Sequence, residues 1–467
     1  MILRIVDRPE MTASILADLS DLSSPVRLLR GEGFSLGEPD AKFSGVEWDR
    51  GTRTVTLPLG VWGTQQEVSQ AVARIGRALA TRGAWLMWQR EGVSAPSWFR
   101  MEPQAASAID YRWVRHKAEG SVWMWPLKVE VDAFPVSQRT TLRPVGSPTD
   151  TATVPNSGTA RGVLVRGLGE VTSPLRVDMK PSVDWPGRRT LVAAFSVPEG
   201  SPLVASSGAT LSPAIVRGAG DYTPAGSATN TISASWSASG KAITVALSST
   251  SQQTVLTGTG GWTPPPGRYR IFARLHRTGP IGIATIRFGV RYFATAWQRP
   301  VTWKPTGGGD RSSWLEVGVL QHPYGQSPEG LRVGDVAPSD IAIEVTGDGS
   351  GGTLHIDQIA YVPAELVEGT ATSQTHSWSG VTAPSTVASM RVDGQVRRVN
   401  LVDGGGKVVG SPQPLTIGGF PVAAPGMVTG VVVLGDTSAA PSGVDSVGMQ
   451  MSLTVSQQPR HVHLAGV

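Results

Sequence analysis

The chain has 467 residues, of which 40% are hydrophobic and only 16% charged, with 56 glycines and 35 prolines. That balance supplies buried cores, excludes a disordered chain and favours many short strands joined by turns. There is no cysteine, which excludes disulfides and thiolate chemistry; the net charge of +5 is spread without any Lys/Arg block interleaved with aromatics, which argues against specific nucleic-acid binding.

The N-terminal residues hold no apolar run of signal-peptide length, and no later stretch is apolar enough to span a bilayer. The expectation is a protein made in a cytoplasm. Residues 2–6 read as a strand, 26–29 and 46–48 as short strands, and 52–59 (TRTVTLPL) as a stronger one by its period of two. Residues 65–80 form the one convincing helix. Thr64 and Glu67 make a capping box, Val68, Val72, Ile75 and Leu79 share a face, and Gly83 is the expected terminator. This helix is expected to lie on the tryptophan-rich strands around it.

Those strands lie between Gly83 and Pro135, a stretch that holds Trp85, Trp88, Trp98, Trp113, Trp123 and Trp125. Residues 84–89, 98–101, 111–114 and 122–131 read as strands, the last broken by Pro126, which predicts an edge or a bulge there. So many large rings exceed what one small sheet can hide, so some must face other elements or other chains. Trp88, Trp113, Trp123 and Trp125 are the candidate oligomer-interface residues.

Residues 136–160 are rich in Ser, Thr and Pro, and a linker is placed at 141–160. From Arg161 the pattern is purely β. Regularly spaced strands, among them 245–256, 269–277, 281–293, 314–320, 341–346 and 354–362, predict a sandwich over 161–365. Residues 366–467 read as a further sandwich packed by aliphatics, with Asp393-Gly394 as a hairpin signal.

No catalytic constellation stands out. There is no HExxH, no paired carboxylates and no G-x-S-x-G elbow between a strand and a helix, so no enzyme is expected and no cofactor is implied. His461 and His463 have a spacing that can bind metal, but two ligands without a third favour a plain terminal strand. Asp348, Asp357 and Asp403 are weighed as calcium ligands against the simpler reading of surface turn acids. Gly347-x-Gly349-x-Gly351 has no helix after it and reads as a hairpin turn. Tyr292, Phe293, Trp297, Trp303 and Trp314 cluster near Arg299, Asp310 and Arg311. Rings beside polar groups suit a sugar, while alternate rings suit a sandwich core better for any one of them. Trp297 and Trp303 are the most loop-like, in a connection stiffened by Pro300 and Pro305, and are the carbohydrate-binding candidates.

Three places resemble a known family. The helix TQQEVSQAVARIGRALA with the strand PLKVEVDAFPVSQR is similar to the belt domain of siphophage distal tail proteins. GRYRIFARL, LEVGVL and LHIDQIAYVP resemble the jelly-roll, carbohydrate-binding-like modules of minor tail proteins from actinobacterial phages. MRVDGQVRRVNL, GGFPVAAPGMVTGVVVL and the closing QQPRHVHL resemble that family's C-terminal sandwich, with His461 where an aromatic is usual. The resemblance implies a mainly β chain: a ring-forming barrel-plus-helix belt domain at 1–140, a jelly-roll at 161–365 and a C-terminal sandwich at 366–467. It also implies a homohexameric ring at the virion tail tip, assembled in host cytoplasm. That ring would join the tail tube protein to hub or fibre proteins of the baseplate, its lumen passing the tape measure protein and DNA. The alternative is an adhesin for a host cell-wall polysaccharide.

Overall fold

The computed structural model describes residues 1–29, 34–41, 51–103, 112–116, 120–143, 145, 152–154, 160–181, 189–197, 216–232, 237, 240–258, 267–279, 282–291, 295–304, 311–322, 340–366, 374–379, 387–413, 420–435 and 451–462. The chain is mainly β, with strands paired antiparallel in six sheets. It divides into two compact units: Met1–Thr140 with Leu168–Ser173 and Gln458–Val467, and Thr141–Gly167 with Pro174–Gln457.

The first unit holds β1 (Ile2–Val6), β2 (Ile15–Asp18), β3 (Val26–Leu28), β4 (Thr52–Val61), α1 (Gln65–Ala80), β5 (Trp85–Gln89), β6 (Ser97–Arg100), β7 (Arg112–His116) and β8 (Gly120–Asp132). Its sheets run β2-β1-β5-β6 and β3-β4-β8-β7. Val55, Leu57 and Leu59 of β4 and Trp125, Leu127, Val129 and Val131 of β8 alternate onto one core with Leu3, Ile5, Leu86 and Trp88. Pro126 lies opposite Pro58 without a bulge in that pairing. Among the described residues the pairing with β7 reaches Met124 and does not include the proline.

The α1 capping box is present as the sequence implies: the Glu67 amide donates to Thr64 Oγ1 at 3.4 Å and the Thr64 amide to Glu67 Oε2 at 2.8 Å. The helix cap falls at Thr81, and Gly83 takes φ +81 just beyond it. Ile75, Ala78 and Leu79 are its buried residues. It packs most closely on β1, β2 and β3, and its buried residues share one core with Trp88 and Trp125 of the tryptophan-rich strands.

The end of the chain returns to this unit. Arg460 bridges both Val136 and Val171, Gln458 Nε2 donates to the Pro9 carbonyl at 2.7 Å, and the Val462 amide donates to Glu170 at 2.8 Å. Residues 1–140 are therefore not the whole of the first unit.

The second unit contains one sandwich interrupted by another. The outer sandwich pairs Ala160–Arg166, Val428–Gly435, Arg189–Val197 and Gln374–Ser379 in one sheet. Its other sheet includes Met451–Gln457, Ser173–Pro181, Val387–Asp393, Arg398–Asp403 and Val408–Gln413. Strands from both sides of the 365/366 boundary read from the sequence thus share sheets. The core between them is aliphatic, with Val163, Val177, Met179, Val192, Val392, Val431 and Val455.

The inner sandwich leaves the outer one after Val197 and returns before Gln374. Its sheets are Thr229–Ile232, Lys241–Ala246, Thr353–Leu366, Gly267–Thr278, Arg311–His322, and Thr223–Pro224, Gln253–Gly258, Asp340–Thr346, Ala284–Arg291, Thr295–Trp297. Ile271, Leu275, Ile286, Phe288, Ile343 and Ile356 are fully buried between them. Residues 245–256, read as one strand, are two strands in opposite sheets. Residues 347–352 also join strands of opposite sheets, so the glycine-rich stretch is an arch and not a hairpin. Gly349 and Gly351 take φ +82 and +77 to make it.

Candidate functional site

The four tryptophans expected at an interface separate by position along their strands. Trp125 is 1% exposed and Trp88 7%, both within the first unit's own core. They are core rings, because alternation turns Trp125 inward with Leu127 and turns Trp88 inward with Leu86. The other face of β5 is covered too, with Trp85 and Met87 packed on Val6, Trp98 and Val136. That double burial is why 84–89 reads as an unbroken apolar run. Trp123 shares the inward face of β8 but lies beyond the end of the core, opposite Val61, and is 51% exposed. Trp113 lies opposite Trp123 in the register, and its side chain is outside the described residues.

The two carbohydrate candidates also part. Trp303 pairs with Ala284, points inward and is 4% exposed in the inner core, so it has no face for a sugar. Trp314 is buried as well, on the opposite face of its sheet, with Phe272, Ala360 and Val362. Trp297 pairs with Gly289 on the outer face and is half-buried. A Cβ on Gly289 would stand 2.5 Å from the indole Cε3, so the ring lies against the bare glycine backbone. The Arg287 guanidinium sits 5.5 Å from the ring centroid, and its Nε donates to the Gln298 carbonyl at 3.1 Å. Arg299 is exposed, while Tyr292, Phe293, Pro305 and Asp310 and the Arg311 side chain lie outside the described residues.

The calcium candidates do not converge. Asp348 accepts from the Ile283 and Ser350 amides at 2.7 and 3.0 Å, and these bonds hold its carboxyl below the usual range together with the Ser350 hydroxyl. Asp403 accepts from the Gly405 and Lys407 amides at 3.0 and 2.8 Å inside a hairpin turn. Both are turn acids. Asp357 is not a surface acid at all: it is 0% exposed and ion-paired with Arg274, itself 1% exposed. Among the described residues no three His, Asp or Glu side chains gather as metal ligands. His461 donates its amide to the Pro135 carbonyl at 3.1 Å, and His463 is outside the described residues.

Around Asp357 lies a buried polar row that sequence reasoning missed. Ser237 Oγ is 2.7 Å from Asp357 Oδ1 and 3.2 Å from the Lys241 carbonyl. His355 bonds Thr244 Oγ1 through Nδ1 at 2.8 Å and Thr278 Oγ1 through Nε2 at 2.9 Å. His276 stacks obliquely on it at 5.8 Å. Burial, with His355, Arg274 and Arg277 nearby, pushes the His276 imidazole down to about 3. Ser237 is thus bound to a carboxylate and a backbone carbonyl rather than to an imidazole, which is not the arrangement that activates a serine nucleophile. The row's signal in the sequence is the alternation of Arg274 and His276 with apolar residues, which normally marks a solvent face.

No family model matches the sequence and no curated protein matches it. Solved structures show distant likeness. The Dit protein of SPP1, described as a paradigm of the hub adsorption apparatus in phages infecting Gram-positive hosts, is 10% identical with a TM-score of 0.23, covering 77% of this chain and 99% of its own. The phage P2 baseplate in its activated conformation with Ca gives 11% identity and 0.18, covering 78% and 99%. Infectious bursal disease virus, Gt strain, gives 8% identity and 0.16, covering 95% and 86%. Likeness at these TM-scores assigns this chain neither a family nor a function.

Proposed function

We propose that this chain is a structural, non-catalytic subunit of a phage tail tip, with the first unit closing a ring of six copies. The ring joins the tail tube protein to hub or fibre proteins of the baseplate, and its lumen passes the tape measure protein and DNA. The chain assembles in host cytoplasm and ends in the virion. The sequence resemblance of the helix and of β8 to a belt domain supports this reading. The observation that carries it is where apolar surface stays uncovered. Among the described residues, Met11, Ile15, Leu22, Trp123 and Leu168 are exposed in the first unit, against Val396 and Val408 in the second. Uncovered apolar side chains are what association removes from water, and a patch meeting a different patch on the next copy generates a ring when the rotation closes. Light scattering of the purified chain over a range of concentrations is the test. A mass near six times 49.1 kDa is expected, and a monomer throughout removes the reading.

A second reading, adhesion to a host cell-wall polysaccharide, is favoured by one observation, the half-exposed Trp297 laid against Gly289 beside Arg287. A flat ring held by a rigid sheet stacks on a pyranose with little loss of entropy. Trp297→Ala is expected to abolish cell-wall binding with little change in melting temperature; unchanged binding removes this reading.

A further inference from the structure

Trp123 and the cleft beside α1 fit together as knob and hole, though each belongs to a different part of the first unit. The indole stands on the inward face of β8, one step past the point where the core ends, with Val61 across from it on β4. Half of its surface faces solvent on a strand that is otherwise tightly paired. Burying such a ring removes about 150–250 Å² of surface from water.

The hole is a groove of about 470 Å³ between β2 and the second half of α1, lined by Ile15, Leu16, Ala17 and Asp18 on one side and Arg74, Arg77, Ala78 and Thr81 on the other. β2 is the outermost strand of its sheet, so its far edge is open there. Ile15 is 50% exposed at the rim. The lining is mixed, apolar at Ile15, Leu16, Ala17 and Ala78, and its two guanidinium groups against one carboxylate leave it cationic, which suits the electron-rich face of an indole. Trp123 is not among the residues that line the groove, so the indole does not fill it within its own copy. A contact between the two is one between copies, head to tail.

We propose that Trp123 of one copy seats in the groove between β2 and α1 of the next. The contact rests on the ring reading above and supplies it with a specific interface. The chain's lack of cysteine makes the test direct. The full-length double variant Trp123→Cys with Ile15→Cys is treated with a short bismaleimide and run under denaturing conditions. A ladder of covalent multimers is expected, with neither single variant giving more than a dimer. In parallel, Trp123→Asp is expected to weaken association by about thirtyfold or more, as loss of a central aromatic anchor does. Because both side chains are half-exposed, unchanged melting temperatures for the variants are expected, which separates lost contact from lost fold. An assembly that survives Trp123→Asp and gives no ladder overturns this contact and leaves the ring standing. A chain that is monomeric at every concentration removes both.

Discussion

The first unit and the inner sandwich solve the same problem in opposite ways. In the inner sandwich both faces of the sheet carrying Gly267–Thr278 are covered. One face is the core of Ile271 and Leu275, and the other carries Phe272, Arg274 and His276 under cover. Inside it, Arg274 is ion-paired with Asp357. The first unit has a core as dry, yet it leaves Met11, Ile15, Leu22 and Trp123 uncovered. A domain closed on itself needs no partner, whereas apolar surface left in water is what association removes. On the ring proposed above, this difference is the reason for assigning the contact between copies to the first unit.

The largest effects should come from breaking what is closed. Asp357→Ala strands a buried guanidinium and is expected to cost about 3–5 kcal/mol, measured by urea denaturation. A loss below about 1 kcal/mol would mean that the inner sandwich does not depend on this ion pair. In the first unit, Trp125→Ala is expected to cost about 3–5 kcal/mol, while Trp123→Ala on the same strand face stays within about 0.5 kcal/mol for the unassociated chain. Equal losses would erase the distinction between core ring and knob.

Acid provides a graded test of the inner sandwich alone. Burial holds the His276 imidazole neutral in the fold down to about pH 3, whereas in the unfolded chain it takes its proton near the ordinary histidine value of 6.5. Below the upper value the unfolded state binds more protons, so stability falls as pH falls, by up to about 1.4 kcal/mol per pH unit until the lower value is reached. His276→Gln should flatten that slope, and an unchanged slope would assign it to other groups. A smaller loss than those of the core variants is expected at the helix: Thr64→Ala should cost about 1 kcal/mol through loss of the capping box. Thermal denaturation checks it, and no loss would mean that α1 is held by packing alone.

Excision sharpens the comparison further. Ala194 lies opposite Gln374 in one sheet, so removing 198–373 joins two strands that are already neighbours. The shortened chain is expected to keep its outer sandwich and to associate as the full chain does, with light scattering as the readout. Loss of association would place part of the interface in the inner sandwich.

Local elements were legible because their causes are local. The capping box and the alternation of 52–59 both follow from neighbouring residues. What escaped depends on which strands become neighbours. Nothing near Arg161 says that residues 160–166 pair with 428–434, so the nesting of one sandwich inside another was out of reach. Burial of Arg274, His276 and Asp357 was hidden for the same reason, since only a second covering layer turns an alternating pattern's polar face inward. The same limit explains the tryptophans. Trp123 and Trp125 are two residues apart on one face, and only the end of the opposing core makes one a knob and the other a core ring.

The account stands most directly on the solution mass of the intact chain measured beside its Trp123→Asp variant by light scattering. The expected result is a wild-type mass that is a fixed multiple of 49.1 kDa and a variant that falls to the single-chain mass at the same concentration with its melting temperature unchanged. A wild-type chain that remains at 49.1 kDa at every concentration would contradict it.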